Sequence, residues 1–225
     1  MLQRLLLLIG FGLCHQLPQR SFFGGGIQAP VCARDTGIFF GFAISALLIY
    51  ALDGRPATEL PRRSVLIVAA IFFGTMVWDG VTSYSGLRPT TNDIRLITGL
   101  LSGFAIPVVF VPFLNGELLG SYVGGRSLEG SWRPAVWVAA VPFAFVAIRY
   151  GMPLLGVWYP VAVAGVVVAT LTVVNVGLCA ALWHQWDWLR TRGRIAALVA
   201  TSLALTVFEL VGSAGIKLLV FTLVR

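Results

Sequence analysis

Two cysteines, a histidine and an aspartate gather in residues 14–35, as Cys14-His15 and Cys32-Ala33-Arg34-Asp35, just ahead of a membrane-length apolar run. Thiolate, imidazole and carboxylate are the donors zinc accepts in a tetrahedral site, and the Cys32-x-x-Asp35 spacing presents two of them from one turn. The expected ligand set is Cys14, His15, Cys32 and Asp35 around zinc or another divalent metal. Side chains of adjacent residues diverge in regular structure, so only a loop can bring Cys14 and His15 together. The same cysteines have two other fates open to them. One is a disulfide on an oxidising face of a membrane; the other is burial as small apolar side chains. A catalytic Cys–His pair would need an orienting third group, and the sequence identifies none.

A second polar stretch runs from 79 to 95. Asp79 closes one apolar run, and Asn92, Asp93 and Arg95 open the next. Ionisable groups at membrane boundaries ordinarily meet water or headgroups. As parts of a site, Asp79 would be a general acid/base or cation ligand. Arg95, with Arg20 or Arg34 and with Asn92 nearby, would hold an anionic group through paired N–H donors. Thr91-Asn92-Asp93-Ile94 reads as the start of a helix, with Thr90 or Thr91 as its cap.

Three polar residues lie deep in the last two apolar runs: Asn175, Glu209 and Lys217. Glu209 and Lys217 are eight residues apart, roughly 12 Å along one helix, too far to pair directly. Lys217 is expected to snorkel to the interface. Glu209 is too deep for that and needs a partner, a cavity or a proton, and Asn175 is the candidate partner. Cys179 reads as packing and His184 as an interfacial polar group.

The elements that must position these residues are membrane helices. Apolar residues make up 58% of the 225, charged residues 11%, and the mean hydropathy is +0.89, whereas a soluble domain carries about 25% charged residues. A helical crossing needs ~20 apolar residues. Such runs are Thr36–Leu52, Ser64–Trp78, Leu96–Leu114 with Pro107 and Pro112 inside it, Ala135–Ile148, Leu154–Trp183 and Ile195–Val224. Leu5–Leu13 is too short to cross and reads as an uncleaved partial or tilted helix. The expected fold is all-α: one integral membrane domain over 1–225, a polytopic bundle of about six spanning helices plus the short N-terminal segment. Trp183, Trp186 and Trp188 stand where an interfacial aromatic belt belongs. No internal repeat is evident.

The net charge of +7 comes from 15 arginines and one lysine scattered at the ends of apolar runs. That pattern fits topology signals and anionic lipid rather than nucleic acid, since no basic cluster or aromatic-basic module appears. If the six runs all span, Arg20, Arg34, Arg88, Arg95, Arg149 and Arg225 share one face. Arg55, Arg62, Arg63, Arg126, Arg133, Arg190, Arg192 and Arg194 share the other. The second face, richer in arginine, is the expected cytoplasmic one. Residues 14–35 and 79–95 then lie on the same, extracytoplasmic side and can form one site.

The opening motif, Cys14-His15-Gln16, Pro18, Arg20-Ser21-Phe22, then Pro30-Val31-Cys32-Ala33-Arg34-x-Thr36-Gly37-Ile38, resembles a family of small prokaryotic membrane proteins, domain of unknown function 2085. The resemblance continues through Asp79-Gly80 and Asn92-x-x-Arg95-x-x-Thr98-Gly99, roughly the first hundred residues. It implies a membrane architecture and a Cys-His plus Cys-x-x-Cys set resembling a metal site. Asp35 stands here in place of the last cysteine. The family name carries no reaction.

The leading expectation is thus a protein of the prokaryotic inner or plasma membrane with a polar, metal-binding site at the extracytoplasmic interface. That site would act on or hold a lipid-linked or anionic small molecule, among membrane lipids. Two alternatives stand beside it: a proton- or ion-coupled transporter using Glu209, and a non-catalytic subunit or assembly factor whose Gly212-Ser213-Ala214-Gly215 surface packs a membrane protein partner.

Overall fold

The structure, a computed structural model, describes residues 1–119, 124–183 and 192–223. His184, Trp186 and Trp188 lie outside the described residues. Among the described residues, seven α-helices and one β-hairpin follow in order: α1 (Leu2–Phe11), β1 (Ser21–Gly24), β2 (Ile27–Cys32), α2 (Ala33–Asp53), α3 (Arg63–Tyr84), α4 (Asn92–Leu119), α5 (Trp132–Val146), α6 (Trp158–Leu182) and α7 (Arg192–Leu223). A π-helical turn (Ala147–Gly151) and a 3-10 turn (Met152–Leu155) prolong α5. Six of these segments are long and apolar enough to cross a membrane, with α5 and its two turns counting as one. At ten residues, α1 reaches only about 15 Å. The expected multi-pass helical membrane architecture is present.

Two boundaries differ from the hydropathy reading. α3 continues past Trp78 to Tyr84, so Asp79 sits inside a helix rather than at its end. The 14–35 stretch is more than a loop: its second half is an antiparallel hairpin pairing Ser21 with Cys32 and Gly24 with Ile27. Gly25 (φ +55°) and Gly26 (φ +77°) form its two-residue turn, the left-handed conformation that glycine adopts without a Cβ clash.

The core of the bundle is the crossing of α2 on α4. Gly37 and Gly41 on α2 face Gly99 and Gly103 on α4, and each pair spans one helical turn. A Cβ on Gly99 would lie 2.1 Å from the Arg34 carbonyl oxygen, and one on Gly103 would lie 2.3 Å from that of Ile38. Backbones approach this closely only over small residues, which is how membrane helices gain packing contact without a hydrophobic driving force. Pro107 and Pro112 lie inside α4. In the turn that Pro107 disturbs, the Ser45 hydroxyl donates to Phe104 O at 2.9 Å and accepts from Trp137 Nε1 at 2.9 Å. A side chain of a neighbouring helix thus adds a hydrogen bond to this turn, next to the Gly103 carbonyl that Pro107 leaves without a helical donor. The fully buried Trp137 stacks on Phe72 and tilts against Phe104.

Candidate metal and anion site at one end of the bundle

Residues 14–35, the end of α3 and the start of α4 come together at one end of the bundle. The Cys-His-Gln motif lies just past α1, and its glutamine ties the end together. Gln16, at φ +55°, donates from Nε2 to Leu7 O of α1 (2.6 Å) and to Pro30 O of β2 (2.8 Å). Its own carbonyl accepts from Gln28 Nε2 (2.9 Å), which also donates to the Ser21 hydroxyl (3.1 Å). Sequence reasoning passed over Gln16, although its place beside Cys14 and His15 was the available signal.

This bracing delivers the thiols. The ligand atoms of Cys14, Cys32 and Asp35 all lie within 4.8 Å of one another. The Cys32 backbone N–H donates to Cys14 Sγ at 3.3 Å, and Cys32 Sγ donates to Asp35 Oδ2 at 3.2 Å. Both cysteines are half-buried free thiols. The Cys14 thiol is held below its ordinary pKa, chiefly by a hydrogen bond with the Cys32 side chain. The Cys32 thiol is pushed up, first by that same hydrogen bond and then by burial and the Asp35 charge. Of the two thiols, Cys14 is thus the one whose surroundings favour the thiolate.

Ligand atoms about 2.0–2.3 Å from a tetrahedral zinc lie roughly 3–4 Å apart, so these three donors need only small movements to enclose one. His15 is exposed and stands apart from this trio. It lines a cavity of about 430 Å³ shared by Gly12, Leu13, Cys14 and the α7 residues Ser213, Ile216, Lys217 and Val220.

Beside the thiols lies an arginine cluster. Asp79, 1% exposed, accepts from Arg34 on one oxygen and from Arg88 on the other. It also accepts from Thr90 Oγ1 (3.0 Å) and Thr98 Oγ1 (3.4 Å). Neither oxygen is left without a donor, so in this arrangement the carboxylate is a brace. Arg88 was not anticipated, and nothing in its spacing from Asp79 marks it. Arg20 and Arg34 each lie over the Tyr84 ring, at 5.6 and 5.7 Å from its centroid. Arg95 donates to Asn92 Oδ1 (3.0 Å), and Asn92 donates to Gln19 O (3.2 Å). Among the described residues, Arg20 and Arg95 form no ion pair. The buried Arg34 has an Nε without a hydrogen-bond partner. Two guanidiniums thus pair with the Asp79 carboxylate, while Arg20 packs on Tyr84 and Arg95 on Asn92. Thr91 caps α4, accepting from Ile94 N at 3.2 Å.

The deep polar residues form two separate groups. Asn175 Nδ2 donates to Glu209 Oε2 (2.9 Å) and to Thr206 Oγ1 (3.0 Å), linking α6 to α7. Cys179 packs with Ala180 and Leu198. Lys217 turns to the end of α1 and the loop after it, donating to Phe11 O (2.7 Å) and Cys14 O (2.8 Å).

Bundle and site define a multi-pass α-helical membrane protein with a polar site at one end. Comparison with known proteins gives that class a family. The family described as "Predicted membrane protein (DUF2085)" matches residues 14–109, which run from Cys14 through the two polar stretches into α4. An uncharacterized protein of Methanocaldococcus jannaschii is 37% identical over 100 residues, 44% of this chain and 62% of that protein. An uncharacterized protein of Methanothermobacter thermautotrophicus is 31% identical over 97 residues, 43% of this chain and 83% of that protein. This chain belongs to the DUF2085 family of membrane proteins. No solved structure matches it.

Proposed function

We propose that this protein, in the prokaryotic cell membrane, holds a divalent metal at the extracytoplasmic end of its bundle through Cys14, Cys32 and Asp35. Zinc suits the two thiolates and one carboxylate best, and three protein ligands would leave a fourth position for water, substrate or His15. The observation that carries the reading is the convergence of three donors from two separate places in the chain within 4.8 Å. Beside the metal, Arg20 and Arg95 receive an anionic group, with Asn92 orienting Arg95. Arg34 contributes its unpartnered Nε. At a membrane boundary the available anions are phosphate-bearing headgroups and lipid-linked small molecules, which guanidinium recognises through paired donors. The metal would act as a Lewis acid on such an anion or hold it in place.

Metal analysis of the full chain, purified in mild detergent under reducing, chelator-free conditions, tests the reading. Wild type is expected to carry one zinc per chain. Cys14→Ser and Asp35→Asn should each weaken zinc at least about 100-fold, since even outer-shell changes cost about 10–100-fold. Wild type that holds no metal and takes up none from added zinc would end this reading.

A further inference from the structure

Lys217 lies far along α7, outside residues 14–109 that the family match covers, yet it touches the metal-site loop. Its ammonium donates to Phe11 O at 2.7 Å and to Cys14 O at 2.8 Å, and sits 4.4 Å from the centroid of the Phe11 ring. α1 has no basic residue in its last turn. The final carbonyls of a helix have no intrahelical donor and carry the negative end of the dipole, so a cation there satisfies both needs. Here that cation arrives from α7.

The approach is tight. One helical turn before Lys217, Ser213 packs on Gly12, where a Cβ would lie 2.0 Å from Ser213 Oγ and 2.8 Å from the Ala214 backbone nitrogen. The chain at Gly12 therefore lies directly against α7. Gln16 anchors the other side of the same short segment to α1 and β2. Between these anchors stands Cys14, whose sulfur accepts the Cys32 N–H.

We propose that Lys217 is a positioning residue for the metal site: by gripping the Phe11 and Cys14 carbonyls it fixes the backbone that aims the Cys14 sulfur at Cys32 and Asp35. The C-terminal helix thereby completes a site whose ligands all lie in the N-terminal part of the chain. Two carbonyls converge on one nitrogen, an arrangement that suits a compact ammonium with three donors. A methionine of similar length would keep the stem's packing but not the grip. This proposal rests on the metal reading above, and its test is built to separate the two.

Cobalt(II) titration of the full chain in detergent would read the site through thiolate-to-cobalt absorption, with Lys217→Met, Lys217→Gln and Lys217→Arg beside wild type. In parallel, maleimide labelling of metal-free protein at one fixed pH would be followed residue by residue. Lys217→Met is expected to weaken cobalt binding about 10-fold or more, the range for a supporting group, and to speed Cys14 labelling several-fold while Cys179 labelling is unchanged. Lys217→Arg, which keeps a cation with several donors, should return both readouts to within a few-fold of wild type, with Lys217→Gln in between. A Lys217→Met variant that matches wild type in both readouts overturns the proposal, because a role in packing alone survives that change. If Lys217→Met does not fold, the Gln and Arg variants decide, and a Gln variant equal to wild type overturns it. If wild type binds no cobalt, the metal reading fails, and Cys14 labelling alone decides whether Lys217 positions the loop.

Discussion

Replacing Asp79 with Asn is expected to destabilise the protein by about 3–5 kcal/mol, the range for removing one partner of a buried ion pair. Asp79 is 1% exposed and Arg34 7% exposed, so the substitution strands a buried guanidinium without its counter-charge. It also weakens the acceptor that Arg88, Thr90 and Thr98 share. For a chain of this size 1 kcal/mol is worth about 2–4 °C, so the thermal midpoint in detergent should fall by roughly 6–20 °C. The Arg149–Asp93 pair is the internal control. Both its side chains are at least one-third exposed, and partly solvated pairs contribute only about 0–1 kcal/mol. Asp93→Asn should therefore move the midpoint little. Equal, small shifts for the two variants would show that burial does not set the worth of the Asp79 brace.

The second large effect lies at the α2–α4 crossing. Gly99→Ala would place a methyl 2.1 Å from the Arg34 carbonyl oxygen. The obstacle is backbone, so no side chain can rotate aside and the helices must separate. Overpacking ordinarily costs about 1–3 kcal/mol. The displacement falls at Arg34 itself, so it should also loosen the pair with Asp79 and carry the total above that range. Gly116→Ala, with open space around the added methyl, is the matched control on the same helix. Thermal midpoints measured together on the two variants test this, and a Gly99→Ala protein as stable as Gly116→Ala would contradict the close crossing.

Much of this was legible in the sequence because membrane helices are written in composition. The six long apolar runs located the spans, and counting crossings placed residues 14–35 beside 79–95, where Arg34 meets Asp79. Cys32-x-x-Asp35 was legible because spacing alone puts both side chains on one turn. Asn175 and Glu209 were paired by depth alone, and they meet at 2.9 Å.

What stayed hidden depended on the third dimension. The hairpin was masked by its apolar neighbours, although Gly24-Gly25-Gly26 carried the turn signal. Gly37, Gly41, Gly99 and Gly103 stand at four-residue spacing, but among 25 glycines nothing in one sequence says which pair meets at a crossing. Lys217 was assigned to the interface by its distance from the helix end. Its carbonyl partners lie at the end of α1 and just past it, about two hundred residues earlier, and no local rule connects them.

The central claim is that Cys14, Cys32 and Asp35 share one metal ion. X-ray absorption at the zinc edge of the loaded, full-length protein tests it most directly. The account predicts a shell of two sulfurs at about 2.3 Å with lighter oxygen or nitrogen scatterers at about 2.0–2.2 Å, and loss of one sulfur in Cys14→Ser. A spectrum with only oxygen and nitrogen neighbours, unchanged in Cys14→Ser, would contradict it.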